Sequence, residues 1–468
     1  MLHQRKKVTN DGRSFIIIFV NEINFLYGYK GCAKILTTKK LVVHQGGNMK
    51  ENIKELFRYL DASPTAFHAV ENVKAELLKK GFVELAETEA WKLVAGKKYF
   101  VVRNHSALLA FCLPKKEPEG FHIAAAHTDS PAFKIKENPE IKSELYVKLN
   151  VEKYGGMIVS TWFDRPLSVA GRIFTEEEDG IRERLVNVDR DFFVIPSLAI
   201  HMDRKTNEGH SYQIQKELLP LFSEKGTDTF RSFLARETGI AEESILEEEL
   251  YLYTRQKGSL IGANEEWILS PRLDDLQCVF AAMEGIKAAK PQKEISVAAL
   301  FDNEEVGSGT KQGADSDFLS EVMERIGNGL GFDAEKKICM KNSSFLLSAD
   351  NAHAVHPNYP EKADPNHQPR LNGGIVIKYH GGQKYTTDAF SAARLKRWCK
   401  EWQIPYQTYH NHSDIPGGST LGNISATHVS VPSVDIGFAE LAMHSAVETA
   451  GREDIRYGIR LFQNFFSM

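Results

Sequence analysis

Cysteine is scarce in this chain of 468 residues: Cys32, Cys112, Cys278, Cys339 and Cys399 are all there are, and no two form a CxxC pair. An odd, scattered set excludes a disulfide framework and a thiolate zinc site. It points to a reducing compartment, the cytoplasm, and leaves His, Asp and Glu as ligands for any metal. An excess of one charge is missing too. Lys+Arg number 58 against 62 Asp+Glu, a net charge of −4, and no basic stripe marks a nucleic-acid or membrane partner. Phe15–Val20 (FIIIFV) falls well short of the roughly 20 apolar residues that span a bilayer. Asn21, Glu22 and Asn24 interrupt it, so it is not read as a signal peptide despite Arg5, Lys6 and Lys7 before it. Internal repeats and low-complexity linkers are also absent.

What is present divides into three stretches. Gln45-Gly46-Gly47-Asn48-Met49 can be encoded by CAA GGA GGA AAT ATG, which contains a bacterial-type ribosome-binding sequence just before a start codon. Residues 1–48 are therefore read as upstream DNA translated as protein, with Met49 as the native start. Residues 49–138 and 268–468 alternate apolar strands with helical spacing, the signature of an α/β fold with a mainly parallel sheet flanked by helices. Ile53, Leu56, Phe57 and Leu60 have helical spacing, and Ser63-Pro64 reads as the N-cap and first residue of a second helix. Residues 139–267 differ. Alternating runs such as YVKLNVEKY, MIVSTWF and LSVAGRIF predict an antiparallel, half-exposed sheet inserted into the α/β part. The acidic run Glu242–Glu249 reads as a solvated helix face.

The polar residues fall at strand ends. FHIAAA (121–126) ends in His127-Thr128-Asp129, SVAALF (296–301) in Asp302-Asn303-Glu304-Glu305, and SFLLS (344–348) in Ala349-Asp350. SVDIGF (433–438) is followed by His444, and Asp274-Asp275 opens a helical pattern. Thr128 and Ser130 read as turn residues, and Asp275 as a helix cap. The C-terminal ends of parallel strands share one edge, where ligands of open α/β sheets bind. His127, Asp274, Glu304, Glu305, Asp350 and His444 should meet there. Two imidazoles with several carboxylates and no sulfur suit zinc, with manganese or cobalt as alternatives. A dinuclear site also needs a base that is not a ligand, and two adjacent glutamates can divide these roles. The pattern alone does not say which glutamate does which.

At these residues the chain resembles the aspartyl aminopeptidase family of metallo-aminopeptidases. The matching stretches are AAHTDSPAFKIK, SPRLDDL, LFDNEEVGS, SADNAHAVHPNY, IVIKY and LAMHSA, in that order, and the resemblance runs from about residue 50 to the end. It implies a zinc aminopeptidase-like catalytic domain with an inserted dimerisation domain. It implies two divalent metal ions: His127 and Asp350 on one, Glu305 and His444 on the other, and Asp274 bridging. Glu304 would be the general base and Asp129 the residue that orients His127. Lys378 and His353 would line a pocket for an acidic N-terminal residue. His201 would reach a neighbour's site in a homo-oligomer, a tetrahedral dodecamer of dimers. The expected activity is removal of N-terminal Asp or Glu from peptides. The alternatives are a neutral or basic preference, a related dinuclear deacylase, or a catalytically silent cage protein.

Overall fold

The computed structural model describes residues 5–10, 13–18, 49–226 and 229–468. They belong to two units, Met1–Gly46 and Gly47–Met468. In the first, strands Arg5–Asn10 and Arg13–Ile18 pair as an antiparallel hairpin. The rest of the stretch read as upstream DNA, residues 1–48, lies outside the described residues.

The second unit is built around a nine-stranded mixed sheet. Its order is Tyr406–His410, Ile375–Tyr379, Ser433–Gly437, Phe345–Ala349, Gly120–His127, Glu294–Phe301, Ala107–Cys112, Lys98–Arg103, Val83–Glu84. Five of the eight neighbouring pairs are parallel and three antiparallel. The four central strands, from Ser433–Gly437 to Glu294–Phe301, all run the same way. Four C-terminal ends therefore share one edge.

Helices cover both faces. Along Gly120–His127, Ala124 and Ala126 pack into a core shared with helices Met49–Ala62, Leu273–Ala288 and Arg452–Phe465. Phe121, Ile123 and Ala125 point the other way, into a core shared with helix Phe318–Gly329. A strand buried on both faces needs apolar residues at every position, so FHIAAA and SVAALF show no alternation. Two of the covering helices approach closely: a Cβ on Gly285 would lie 2.5 Å from Cβ of Phe462.

Strands from Ala132 to Thr254 form a separate six-stranded antiparallel sheet. Its order is Gly180–Asn187, Leu167–Glu177, Ile245–Thr254, Ala132–Lys142, Tyr146–Tyr154, Leu221–Glu224. Phe133, Leu149, Val169 and Leu250 pack on one face against Phe230 and Phe233 of helix Phe230–Thr238. A five-stranded sheet joins Ser259–Ile261, Trp267–Ser270, Glu448–Gly451, Ala439–Leu441 and Ala352–His353.

Three local expectations are corrected. The acidic run Glu242–Glu249 is not a helix; a short turn leads into the strand Ile245–Thr254. Leu250 and Leu252 alternate into the core. Glu249 accepts Nε and Nη2 of Arg172 at 3.0 and 2.7 Å, and Glu248 accepts Arg231 at 2.9 Å. Glu249 is thus paired across the sheet and Glu248 with helix Phe230–Thr238, while Glu242, Glu243 and Glu247 are exposed as expected. The second helix starts at Ala66 after Thr65, not at Ser63-Pro64. Ser63 instead accepts from Asn72 Nδ2 at 3.0 Å, which ties the start of this helix to its middle. MIVSTWF is not a strand: Val159–Trp162 is a single 3-10 turn. Ile158 N–H donates to His444 O and Thr161 Oγ1 accepts from Ala446 N–H, both at 2.9 Å, so this segment docks on the chain around residue 445.

Ile123 is fully buried at the centre of the large sheet. Ile123→Ala is expected to cost about 2–5 kcal/mol, the range for truncating a packed core aliphatic. A urea midpoint within error of the wild type would show that this core collapses around the gap.

Candidate metal centre

Each chemistry-bearing side chain is placed by a strand end or a strained turn. His127 closes the Gly120–His127 strand, and Glu304-Glu305 follow Glu294–Phe301 through Asn303, whose φ is +63°. Asp350 follows Phe345–Ala349. Asp274 follows Arg272 (φ +58°) at the start of helix Leu273–Ala288, and its peptide bond to Asp275 is cis. His444 itself has φ +65°. Positive φ at non-glycine residues is costly and clusters where geometry is imposed for function.

The structure brings these residues into two overlapping groups. His127, Asp274, Asp275 and Asp350 each offer a ligand atom within 4.8 Å of the others, and so do Asp274, Glu305 and His444. Asp274 belongs to both. His127 Nε2 lies 3.5 Å from Asp274 Oδ1, and His444 Nε2 lies 3.4 Å from Asp274 Oδ2 and 3.3 Å from Glu305 Oε1. Donors bound tetrahedrally to one zinc ion lie about 3.3–3.6 Å apart, given zinc–ligand distances of roughly 2.0–2.2 Å. Asp275, expected only as a helix cap, makes no capping bond; it accepts the His127 amide at 3.2 Å and stands in the first group. Glu304 is in neither group.

The second nitrogen of each imidazole is held. His127 Nδ1 lies 3.3 Å from Asp129 Oδ1 and 3.2 Å from Asp129 O. His444 Nδ1 lies 2.6 Å from the Gly156 carbonyl. With Nδ1 as donor, both rings turn the Nε2 lone pair inward, the arrangement of metal-bound histidine. Asp129 also accepts the amides of Glu304 and Glu305, at 3.1 Å each. Thr128 and Ser130 are more than turn residues: Thr128 Oγ1 donates to Ser106 O and Ser130 Oγ to Asp274 O, both at 2.7 Å.

Electrostatics favour a bound cation. Asp274 Oδ1, Asp275 Oδ1 and Glu305 Oε1 are buried without a hydrogen bond, a costly state for carboxylate oxygens. Burial and the neighbouring acids push Glu305 and Asp275 well above the carboxylate range. Burial raises Glu304 to about 8 even though His127 opposes it, and Asp350 to about 6 against the pull of Lys378. Burial opposes charge on the two imidazoles, but Asp129 and Asp274 hold His127 well above its usual value, and Asp274 and Glu305 raise His444 to about 10. Burial would also raise Asp274, yet His127 and His444 outweigh it and hold this acid well below its usual value. Five acids against two imidazoles are short of positive charge, which divalent cations would supply. The donor set, oxygen and imidazole nitrogen without sulfur, fits zinc.

The remaining predicted residues lie at different distances from this centre. Lys378 is buried, not solvated; Nζ donates to Asp350 O at 2.7 Å and Asn351 O at 3.0 Å, and lies 3.7 Å from Asp350 Oδ1. His353 is exposed, its ring 6.1 Å from that of Tyr409. His201 is not in the cluster. It sits exposed in a turn beside Leu198, Ile200 and Met202, which are also exposed. Sequence reasoning missed Glu448. This buried acid accepts the His444 amide on Oε1 at 2.7 Å and the Asp274 amide on Oε2 at 3.1 Å. It grips backbone, so no spacing of side chains announces it.

Stripped of metal, the centre should be sensitive to base. A group whose pKa rises on folding stabilises the fold most below its unfolded value and loses that contribution as pH climbs through the raised one. Asp350 at about 6, Glu304 and Glu448 at about 8 and His444 at about 10 all have this sign. Asp274 has the opposite sign and matters only in acid. The melting temperature of chelator-treated protein is expected to fall from about pH 5 to about pH 9. Metal-replete protein should melt higher and vary less. Parallel curves for the two forms would contradict this account.

Known proteins resemble this chain over most of its length. Residues 59–466 match the family model described as aminopeptidase I zinc metalloprotease (M18). A curated relative from Clostridium novyi, "Probable M18 family aminopeptidase 2", is 45% identical over 90% of this chain and all of its own. A chain in the cryo-EM structure of the Ape4 and Nbr1 complex superimposes with a TM-score of 0.86 at 36% identity, covering 89% of this chain and 86% of that one. The S. cerevisiae mApe1 dodecamer gives a TM-score of 0.77 at 27% identity, over 89% of this chain and 96% of that one. The match spans both the strand-end residues and the inserted sheet, and on it the chain belongs to the M18 family of aminopeptidases.

Proposed function

We propose that this chain is a two-metal, zinc-dependent aminopeptidase that removes N-terminal residues, Asp and Glu foremost, from peptides. The observation that carries the reading is the pair of donor groups sharing Asp274, with Glu304 beside them and in neither. His127 and Asp350 would hold one ion, Glu305 and His444 the other, and Asp274 both. Bound there, two divalent cations supply Lewis acidity towards the scissile carbonyl and make water a nucleophile near neutral pH. The chain does the rest. Glu304, in neither donor group and so free of a ligand's role, is suited to take a proton from the attacking water and return it to the leaving amine. Asp129 fixes the Glu304 amide and the His127 ring together. Asp275, against the His127 amide, supports the strand end from below.

The positive charge of Lys378, held at the edge of the cluster by two carbonyls, supports recognition of an acidic first side chain, and His353, exposed and near Asp350 in sequence, would line the same pocket. The exposed apolar residues around His201 support a role at a subunit contact, where His201 would complete a neighbour's site. The mApe1 relative is a dodecamer, which supports the same assembly here, with the six-stranded sheet as the dimerising part. Among the described residues, four cysteines are free thiols and no helix is long and apolar enough to cross a membrane. The free thiols suit the cytoplasm.

The deciding experiment compares release of N-terminal Asp, Glu, Leu and Lys from matched chromogenic amides, with and without chelator. Fast Asp and Glu release, lost with chelator and restored by zinc, manganese or cobalt, is the expected result. Preference for Leu or Lys would keep the mechanism and remove the role of Lys378. Cleavage of N-terminally blocked peptides alone would favour a deacylase. Glu304→Gln is expected to lower kcat by at least 100-fold while zinc content stays near wild type, since it removes the acid–base group and no ligand. Glu305→Gln should lower zinc content itself. Equal zinc loss in both would undo the division of roles.

A further inference from the structure

We propose that Tyr154-Gly155-Gly156, where the strand Tyr146–Tyr154 leaves the six-stranded sheet, is a positioning element for the metal centre, through which that sheet sets both imidazoles. This rests on the functional reading above. Tyr154 OH donates to Asp129 Oδ2 at 2.7 Å, and Asp129 is the residue against which His127 Nδ1 stands. The same phenol oxygen accepts Asn303 Nδ2 at 2.9 Å, and Asn303 immediately precedes the two glutamates. Thr310 Oγ1 and Gln312 Nε2 hold the other end of Asn303, at 2.8 Å each. Gly156 O holds His444 Nδ1 at 2.6 Å. Between the two lies Gly155, with φ +79°, where a Cβ would come within 3.2 Å of Glu305 Cβ and 3.4 Å of Pro131 Cα. Three consecutive residues thus touch the orienting partner of one imidazole, the second imidazole and the back of a ligand glutamate.

Sheet packing does not ask for this chemistry. Tyr154 pairs with Ala132 at the strand end, and its ring meets Tyr251 edge-on at 5.5 Å. A phenylalanine would fill the same place. The hydroxyl has one use, to join Asp129 to Asn303. Without it Asp129 Oδ2 loses its shortest donor, and the carboxylate that aligns His127 and the Glu304 amide is less fixed. Partners of this kind, one step removed from the metal, are worth about 10–100-fold in metal affinity or activity.

The test uses the full chain as Tyr154→Phe, Gly155→Ala and Tyr251→Phe. Metal-free protein is titrated with Zn²⁺ in competition with a chromogenic chelator, and kcat and KM are measured on the best amide. Tyr154→Phe is expected to weaken zinc binding and to lower kcat by about 10–100-fold, with KM within about twofold, while the metal-free protein stays folded with its melting temperature lowered only by the lost hydrogen bonds. Gly155→Ala should also weaken zinc binding, because its backbone is strained and its Cβ crowds Glu305. Tyr251→Phe removes the other hydroxyl of the ring pair, which meets Glu249 at 3.3 Å, and should match wild type. Wild-type zinc affinity and kcat in Tyr154→Phe would overturn the proposal, as would an equal loss in Tyr251→Phe. A wild-type enzyme that releases no residue from any amide would sink the functional reading instead; the zinc titration would still decide the role of Tyr154.

Discussion

The carboxylate of Asp129 receives four groups: the His127 ring on Oδ1, the Glu304 amide on Oδ1, the Glu305 amide on Oδ2 and the Tyr154 phenol on Oδ2. These come from its own strand end and from two other segments of the chain. The buried residue is therefore the junction at which one strand end, the glutamate turn and the second sheet are registered to each other. A charged acceptor with several short donors is among the stronger polar arrangements a protein can make. Because each donor is itself buried or half-buried, moving any one of them would expose the others to an unsatisfied neighbour.

Around that junction the protein carries an arrangement that is unfavourable by itself. Asp274, Asp275, Glu305 and Asp350 crowd together, several of their oxygens lack donors, and the backbone beside them is held at positive φ in Arg272, Asn303 and His444. The remainder of the molecule supplies what keeps this in place. The central strands are buried on both faces and cannot slide, since each residue contributes to one core or the other. Glu448 pins the amides of Asp274 and His444 from a strand of a different sheet. The stability of the large core is spent on a site that would otherwise relax.

The strand-end pattern was legible because parallel strands obey a geometric rule: apolar runs ending in His or an acid must deliver those residues to one edge. This placed His127, the Glu304-Glu305 pair, Asp350 and His444 at one edge without reference to side-chain contacts, and Asp274 joined them from the start of a helix. Glu304 and Glu305 could not be told apart that way, since adjacent residues share the same strand end. Glu448, Tyr154 and Gly156 were invisible for a related reason. Glu448 acts on backbone groups and Gly156 through one, Tyr154 acts through its hydroxyl on side chains of distant segments, and no periodicity links positions separated by 174 residues, as Glu448 and Asp274, or by 288, as Gly156 and His444. The acidic run Glu242–Glu249 misled as to its helix and as to Glu248 and Glu249, whose partners Arg231 and Arg172 lie elsewhere in sequence; its other glutamates are exposed as a charge run should be. MIVSTWF misled because its alternation is local while its docking on Ala446 is not.

The Gly156–His444 contact bears on how the molecule comes into being. A site closed by residues 288 positions apart cannot exist in a nascent chain or in a half-folded one, because the late segment must be made and docked before the early one has anything to orient. Contacts of such long range form slowly and last. The donor group of Asp274, Glu305 and His444 is complete only once that late segment has docked. A centre that needs both donor groups therefore stays silent until there is a finished fold to contain it.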